Sequence, residues 1–474
     1  MKKLLGIVVL SLLWCNISFA DNEHLDDFHQ WLYENGHHQY LNIEPKEVCK
    51  KLIQQHGLKL PKVGLVDEPK YRSMEWFSNK CHKFRATNNL KIKFYKNRWT
   101  IPWDAKPNMD TLLYYFYKYQ YSHTVKVSRK HKGTGTRKWD WYEANPSGNF
   151  FQFKSNLKED KYIKKQMSKT AMLSYILYED GKITIDEISP KDRFGNFVNN
   201  ETKFRSMSVG KTMVSYVMGH AICKGYIDSI DSTLNDWDLA NNTLYENQKI
   251  IDLLNMAAGD QKYIGMSGFK DGGDEDTITA KEAMKKMSNK KKSKSKYNYT
   301  GLLPHLLLNY ILFKSGDDFE NLLEDVFKNK VKIEHSVYFF KHPKTHKDEG
   351  NANSMFYATR YDYLRIAKAM LDDWQNDTCV GKYLKTIHER RIPKNHDRTP
   401  FQKQTDNKSS WFNPKSYAGF FHTDYAGFKD KAIMGMGGYG GQSIIIDFEK
   451  GRIVVISSIH LNYNWHKIAI SKFK

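Results

Sequence analysis

Two side chains three residues apart carry the most chemistry in this sequence. They are Ser208 and Lys211, in the stretch SMSVGKTMVSYVMGHAICKG. A serine hydroxyl is a weak nucleophile until a base takes its proton. A lysine amine held in a dry site can lose its charge and serve as that base. Residues three apart share one face of a helix, so a helix starting at Ser208 would bring the two groups together. The helix N-terminus also favours negative charge developing nearby.

The following residues predict that helix. Apolar pairs recur at Met213/Val214, Val217/Met218 and Ala221/Ile222, and Gly225 is a stop signal. A helix that is apolar almost all round belongs in the middle of a domain. The four-letter pattern alone selects nothing, because Ser-x-x-Lys also starts at Ser155, Ser267, Ser288, Ser293 and Ser471. Only Ser208 has a predicted β-hairpin before it and a long apolar helix behind it. Two rival motifs fail on a required glycine. A phosphate-binding loop ending in Gly210-Lys211-Thr212 needs glycine where Arg205 stands, and a Gly-x-Ser-x-Gly elbow needs it where Ser206 stands.

The chain has 474 residues, enough for one large or two ordinary domains. Residues 1–20 read as a cleavable secretory leader: Lys2 and Lys3, an apolar run, then Ser18-Phe19-Ala20. A periplasmic or secreted protein with no transmembrane anchor after cleavage is expected. An oxidising compartment permits a bridge. Cys49 and Cys81 are the expected pair, whereas Cys223, on the apolar helix, is expected to be a buried thiol.

The net charge is +21. Its lysines are spread along the chain and read as solvated surface. The one dense run, residues 285–296, is expected to be a mobile loop. Residues 21–156 form an aromatic-rich basic region, with short helices at 25–33 and 45–56. Aromatic and basic residues interleaved in this way can bind nucleic acid, but no recognised motif frames them and no nucleic-acid partner is expected. His37-His38 and His342/His346 lack a third ligand, so no metal is assigned.

From residue 157 the pattern sharpens. Strands at 171–178 and 182–188 meet at Asp180-Gly181, a hairpin turn. Helices are expected at 158–168, 248–259, 302–313, 318–327 and 361–373, the last opened by Thr359 with Asp362. Residues 265–296 read as loop. A closing hairpin spans 443–448 and 452–459, and a helix ends the chain. Strands at both ends with helices between them predict one mixed sheet built from distant parts of the chain.

With its parts in this order, the chain resembles the serine β-lactamase-like, penicillin-recognising superfamily. The likeness is nearest to the class C-like branch of esterases and 6-aminohexanoate-dimer hydrolase. It covers residues 157–459. The hairpin AMLSYILYEDGKITIDEI, then FRSMSVGKT, GYIDSIDSTLNDW, IIDLLNMAAG, YNYTG, ATRYDYLRIAKAML and GMGGYGGQSIIIDFEKGRIVVIS carry it. The resemblance implies an α/β (α+β) fold: a mixed, largely antiparallel sheet flanked by helices, with a helical domain inserted.

It also implies roles. Ser208 is the nucleophile and Lys211 its base partner. The second motif falls on Tyr299-Thr300-Gly301, making Tyr299 the proton shuttle, with Tyr297 the alternative. The third falls on Met436-Gly437-Gly438, so Met436 and Gly438 would line the substrate. The oxyanion hole would use the backbone N–H groups of Ser208 and Tyr439. Gly301 stands where the family has asparagine, and Met436 where it has a cation or histidine. The expectation is an exported serine hydrolase that cleaves a small-molecule or peptide-like ester or amide and needs no cofactor. The competing readings are a penicillin-binding peptidase or β-lactamase, and a non-catalytic binding protein that keeps the fold.

Overall fold

A computed structural model describes residues 140–473, except 192, 196–197, 267, 274–277, 343–344, 395–413, 439 and 460–464. The leader, the helices at 25–33 and 45–56, His37-His38 and the Cys49–Cys81 pair lie outside the described residues. Trp139–Lys474 forms one compact unit.

The predicted hairpin is its centre. Met172–Glu179 and Lys182–Ile188 pair antiparallel, and both turn residues take positive φ, 50° at Asp180 and 75° at Gly181. That turn matches the right-handed twist of the strands it joins. On the other edge of Met172–Glu179 lies Arg452–Ser458, from the far end of the chain. Beyond it come Ser443–Asp447, Ile433–Gly437, Phe421–Thr423, Ser416–Ala418 and Ile392–Pro393. Lys154–Ser155 closes the opposite edge in parallel, so this nine-stranded sheet is mixed.

One face of the sheet is covered by the helix Lys161–Lys169 and the C-terminal helix Trp465–Ile470. Ile163, Met167 and Ile468 pack there against Tyr175, Leu177, Ile445 and Val454. The helix Arg360–Gln375 lies against Ser443–Asp447 and Arg452–Ser458, and the helix Val209–Cys223 against Ile433–Gly437. Burial on both faces explains why these strands read as nearly continuous apolar runs.

A second sheet was not anticipated. Its strands, in order, are Asp140–Ala144, Val337–Lys341, Ala352–Thr359 and Lys203–Arg205. It takes in residues 140–144, and Lys154–Ser155 joins the large sheet, so the unit starts before the boundary expected at residue 157.

Three further expectations are corrected. The stretch 265–296 contains the helix Ala280–Met287, opened by a capping box between Thr279 and Glu282. The helix expected at 248–259 is only Ile250–Leu254, because Met256 turns left-handed at φ 56°. Cys223 is not a free thiol: it forms a disulfide with Cys379, 156 residues away in sequence. The bridge ties the C-terminal end of Val209–Cys223 to the first residue of the helix Cys379–Glu389.

Candidate active site

The strand Lys203–Arg205 delivers the chain to Ser208. Ser206 prolongs its pairing: its N–H donates to Phe356 O at 2.8 Å and its Oγ accepts from Phe356 N at 2.9 Å. The same Oγ donates to Met207 O at 2.9 Å. Met207 then takes φ 47°, a left-handed conformation that costs a non-glycine residue about 1–2 kcal/mol. Contacts from Ser206 hold this kink, and the helix Val209–Cys223 begins beyond it.

Ser208 is the N-cap of that helix, yet its hydroxyl makes no capping hydrogen bond. Instead Lys211 Nζ donates to Ser208 Oγ at 3.1 Å. Ser208 is half-buried, and Lys211 is only 8% exposed. Gly210 allows the helix start to lie against the second sheet. A Cβ there would fall 2.0 Å from Ser354 O and 2.8 Å from Ser206 Oγ.

The second motif supplies an aromatic wall. Lys211 Nζ lies 5.2 Å from the centre of the Tyr299 ring. Tyr297 packs on Tyr417 at 5.1 Å, and Tyr299 meets Tyr417 edge-on at 6.2 Å. Of the two candidate tyrosines, Tyr299 is the half-buried one whose ring Lys211 reaches. Tyr297 is buried, and that burial, with the Tyr299 hydroxyl second, pushes its own hydroxyl well above the usual range. Gly301 is the N-cap of the buried helix Leu302–Ser315 and offers no side-chain amide. The nearby Asn298 is no substitute, since its amide donates to Asp260 Oδ1 at 2.7 Å and to Ile264 O at 3.2 Å. Burial raises the Asp260 carboxyl, while donors from Asn298 and Tyr245 pull it down.

The third motif ends the strand Ile433–Gly437. Met436 pairs with Ile444 and is 2% exposed, so the position carries no charge and no polar side chain. Gly438 lies directly against the Ser208 kink. A Cβ on it would fall 2.8 Å from Ser206 O and 3.0 Å from Met207 Cβ. Gly438 N donates to Gln442 O at 2.8 Å, and Gly440 N to Gln442 Oε1 at 2.9 Å. Gln442 Nε2 in turn donates to Ser458 O at 2.9 Å, anchoring the turn to the large sheet. Tyr439 lies outside the described residues.

The structure thus gathers Ser208, Lys211 and Tyr299 at one place and sets Gly438 against the backbone that leads into Ser208. Sequence reasoning missed Ser206, Tyr417 and the bridging role of Gln442. The Gly-Gly-Gln run was visible, but nothing local showed that its glutamine reaches Ser458. Among the described residues no group of three or more His, Cys, Asp or Glu could hold a metal. No helix among them is long and apolar enough to cross a membrane.

No family model and no curated protein matches this chain. Solved structures do. A candidate 6-aminohexanoate-dimer hydrolase from Bacillus anthracis aligns with a TM-score of 0.50 at 13% identity, over 71% of this chain and 89% of that one. A candidate β-lactamase from Bacteroides dorei aligns with a TM-score of 0.48 at 14% identity, over 66% of this chain and 97% of that one. The nine-stranded sheet, the buried Ser208 helix and the alignment with the first of these structures agree: the chain has the serine β-lactamase-like fold.

Proposed function

We propose that this chain is an exported serine hydrolase that cleaves an ester or amide through an acyl-enzyme on Ser208. The observation that carries the reading is the 3.1 Å contact between Lys211 Nζ and an otherwise uncommitted Ser208 hydroxyl at the head of a buried helix. The fold shared with the first of the structures above supports a hydrolase of that kind.

Ser208 Oγ attacks the carbonyl carbon, and its proton passes to Lys211. The carbonyl oxygen becomes an oxyanion facing backbone N–H donors, of which Ser208 supplies one. Tyr299, beside Lys211, hands a proton to the departing alcohol or amine as the C–O or C–N bond breaks. Water then attacks the acyl-enzyme, gives its proton back along the same path, and releases the acid. Met436 is buried and puts no cation at its own position to receive a carboxylate beside the scissile bond. Bringing such a charge in unpaired costs several kcal/mol, so neutral esters or amides are preferred over β-lactams and D-alanyl peptides.

A fluorophosphonate probe followed by intact-mass spectrometry tests the assignment. One adduct is expected, absent from Ser208→Ala, and the variant should lose turnover of a neutral p-nitrophenyl ester while staying folded. Turnover retained in Ser208→Ala would remove the nucleophile. A tenfold higher kcat/KM for nitrocefin than for the neutral ester, about 1.4 kcal/mol in transition-state binding, would favour a β-lactamase instead.

A further inference from the structure

Residues 285–296, KKMSNKKKSKSK, hold seven lysines and no acid. The segment opens in the last turn of the helix Ala280–Met287, and from residue 289 it runs into Tyr297 and Tyr299 without helix or strand. It is not loose. Ser293 N donates to Gly259 O at 2.8 Å, and Asn298 N to Met256 O at 2.7 Å. Gln261 Nε2 donates to Lys294 O at 3.0 Å, and the Tyr263 hydroxyl to Lys291 O at 3.2 Å. Gly259, at φ 75°, makes room for this approach, since a Cβ there would lie 2.4 Å from Ser293 O. The expected mobile loop is a stretch tied down along its length.

Three of the seven lysines have partners: Lys286 pairs with Asp271, Lys292 Nζ donates to Gln248 Oε1, and Lys290 Nζ lies 5.3 Å from the centre of the Tyr263 ring. Lys285, Lys290, Lys291, Lys294 and Lys296 are solvent-exposed, and none forms an ion pair with a carboxylate among the described residues. Their backbone is held by other parts of the fold, so a ligand meeting them need not order the chain first. Lys296 is three residues from Tyr299, which puts its Cα within about 11 Å of the tyrosine's. The lysines therefore follow one another along a line of chain that runs into Tyr299.

We infer that this line is a docking surface for a linear polymer of repeating phosphate groups, and that the ester or amide presented to Ser208 is a substituent on such a polymer. The second half rests on the hydrolase reading; the first does not. Lysines alone, with no arginine in the segment, suit charge-tracking along a flexible backbone rather than bidentate recognition of single groups. A line of charges fits a chain better than a planar membrane surface. The buried Met436 disfavours charge next to the scissile bond, while the lysines accept it on the stretch of chain that leads there.

The test measures binding of end-labelled sodium polyphosphate by fluorescence anisotropy, on the full chain carrying Ser208→Ala. Replacing Lys290, Lys291, Lys294 and Lys296 together by glutamine should weaken binding at least tenfold. It should also flatten the plot of log K against log salt by about 3, at roughly 0.7–0.9 per lost phosphate contact. A charge-matched variant with Lys161, Lys165, Lys182 and Lys450 changed to glutamine should bind within twofold of the parent. Equal loss in both variants, or tight binding to anionic vesicles with none to polyphosphate, would overturn the docking surface. The second half is read separately, on the protein with Ser208 intact. Polyphosphate should raise KM for a neutral p-nitrophenyl ester and leave kcat alone; binding without a change in KM would overturn delivery to Ser208. If that protein turns over no ester, delivery falls with the hydrolase reading, and the docking surface is still decided by the binding measurements.

Discussion

Replacing Gly438 by alanine should damage catalysis more than stability. The new Cβ would sit 2.8 Å from Ser206 O, against an ordinary contact limit of 3.4 Å, so that pair must part by 0.6 Å. It would also press on Met207 Cβ at 3.0 Å and Gln442 Oε1 at 2.5 Å. None of the three retreats freely. Ser206 O accepts from Val209 N in the first helical turn, Met207 is already in a left-handed conformation, and Gln442 is bonded to Gly440 N and Ser458 O. The strain therefore passes into the kink that aims Ser208. Overpacking of this size costs about 1–3 kcal/mol, which should lower Tm by roughly 2–5 °C. A nucleophile displaced by a large fraction of an ångström should lose about 10- to 100-fold in kcat. The assay is turnover of a neutral p-nitrophenyl ester beside a thermal melt, with Gly148→Ala as control, since nothing lies within 4 Å of a Cβ there. A Gly438→Ala protein that keeps kcat within twofold and its Tm unchanged would refute the close packing of the third motif against the Ser208 kink.

The Cys223–Cys379 bridge closes a loop of 156 residues, for which chain entropy sets a ceiling of about 5 kcal/mol, with about 2–4 typical. Cys223→Ser with Cys379→Ser should lower the urea midpoint accordingly; an unchanged midpoint, or two free thiols in non-reduced peptide maps, would count against the bridge. His220, buried and facing Asp373, Asp325, Lys330 and Lys224, is held down to about 4 from its ordinary 6.5, chiefly by burial. The folded protein therefore binds fewer protons than the unfolded chain between those values. Stability should hold above pH 6.5 and fall by up to about 3 kcal/mol as the pH drops to 4. His220→Gln should remove that part of the fall in denaturant titrations at pH 7 and pH 4.5; equal losses in both proteins would contradict it.

What was legible in the sequence was local. The Ser208–Lys211 contact follows from spacing on one helix. The hairpin turn follows from Asp180-Gly181, and the start of Arg360–Gln375 from Thr359, whose hydroxyl accepts from Asp362 N at 3.1 Å. The order of strands, carried by the family resemblance, gave the large sheet. What escaped depends on long-range pairing. Two pairings of the second sheet, Asp140–Ala144 with Val337–Lys341 and Lys203–Arg205 with Ala352–Thr359, join segments more than 100 residues apart. A methionine at position 207 gives no hint of positive φ where a glycine would. Cys223 and Cys379 each look like a small apolar residue until the fold brings them together. The lysine run read as a mobile loop because its ties, to Gly259 O and from the side chains of Gln261 and Tyr263, do not show in composition.

The strand order also sets a schedule. Met172–Glu179 finds its partner in Arg452–Ser458, near the other end of the chain. A ribosome must advance from residue 179 to residue 458 before that edge can be filled. At about 5–20 residues per second this takes on the order of 15–55 s. For most of that interval the strand that will pair there is missing, and Gly438 has not yet been made to meet Ser206. The nucleophile's surroundings are thus among the last parts completed, a delay set by the topology alone.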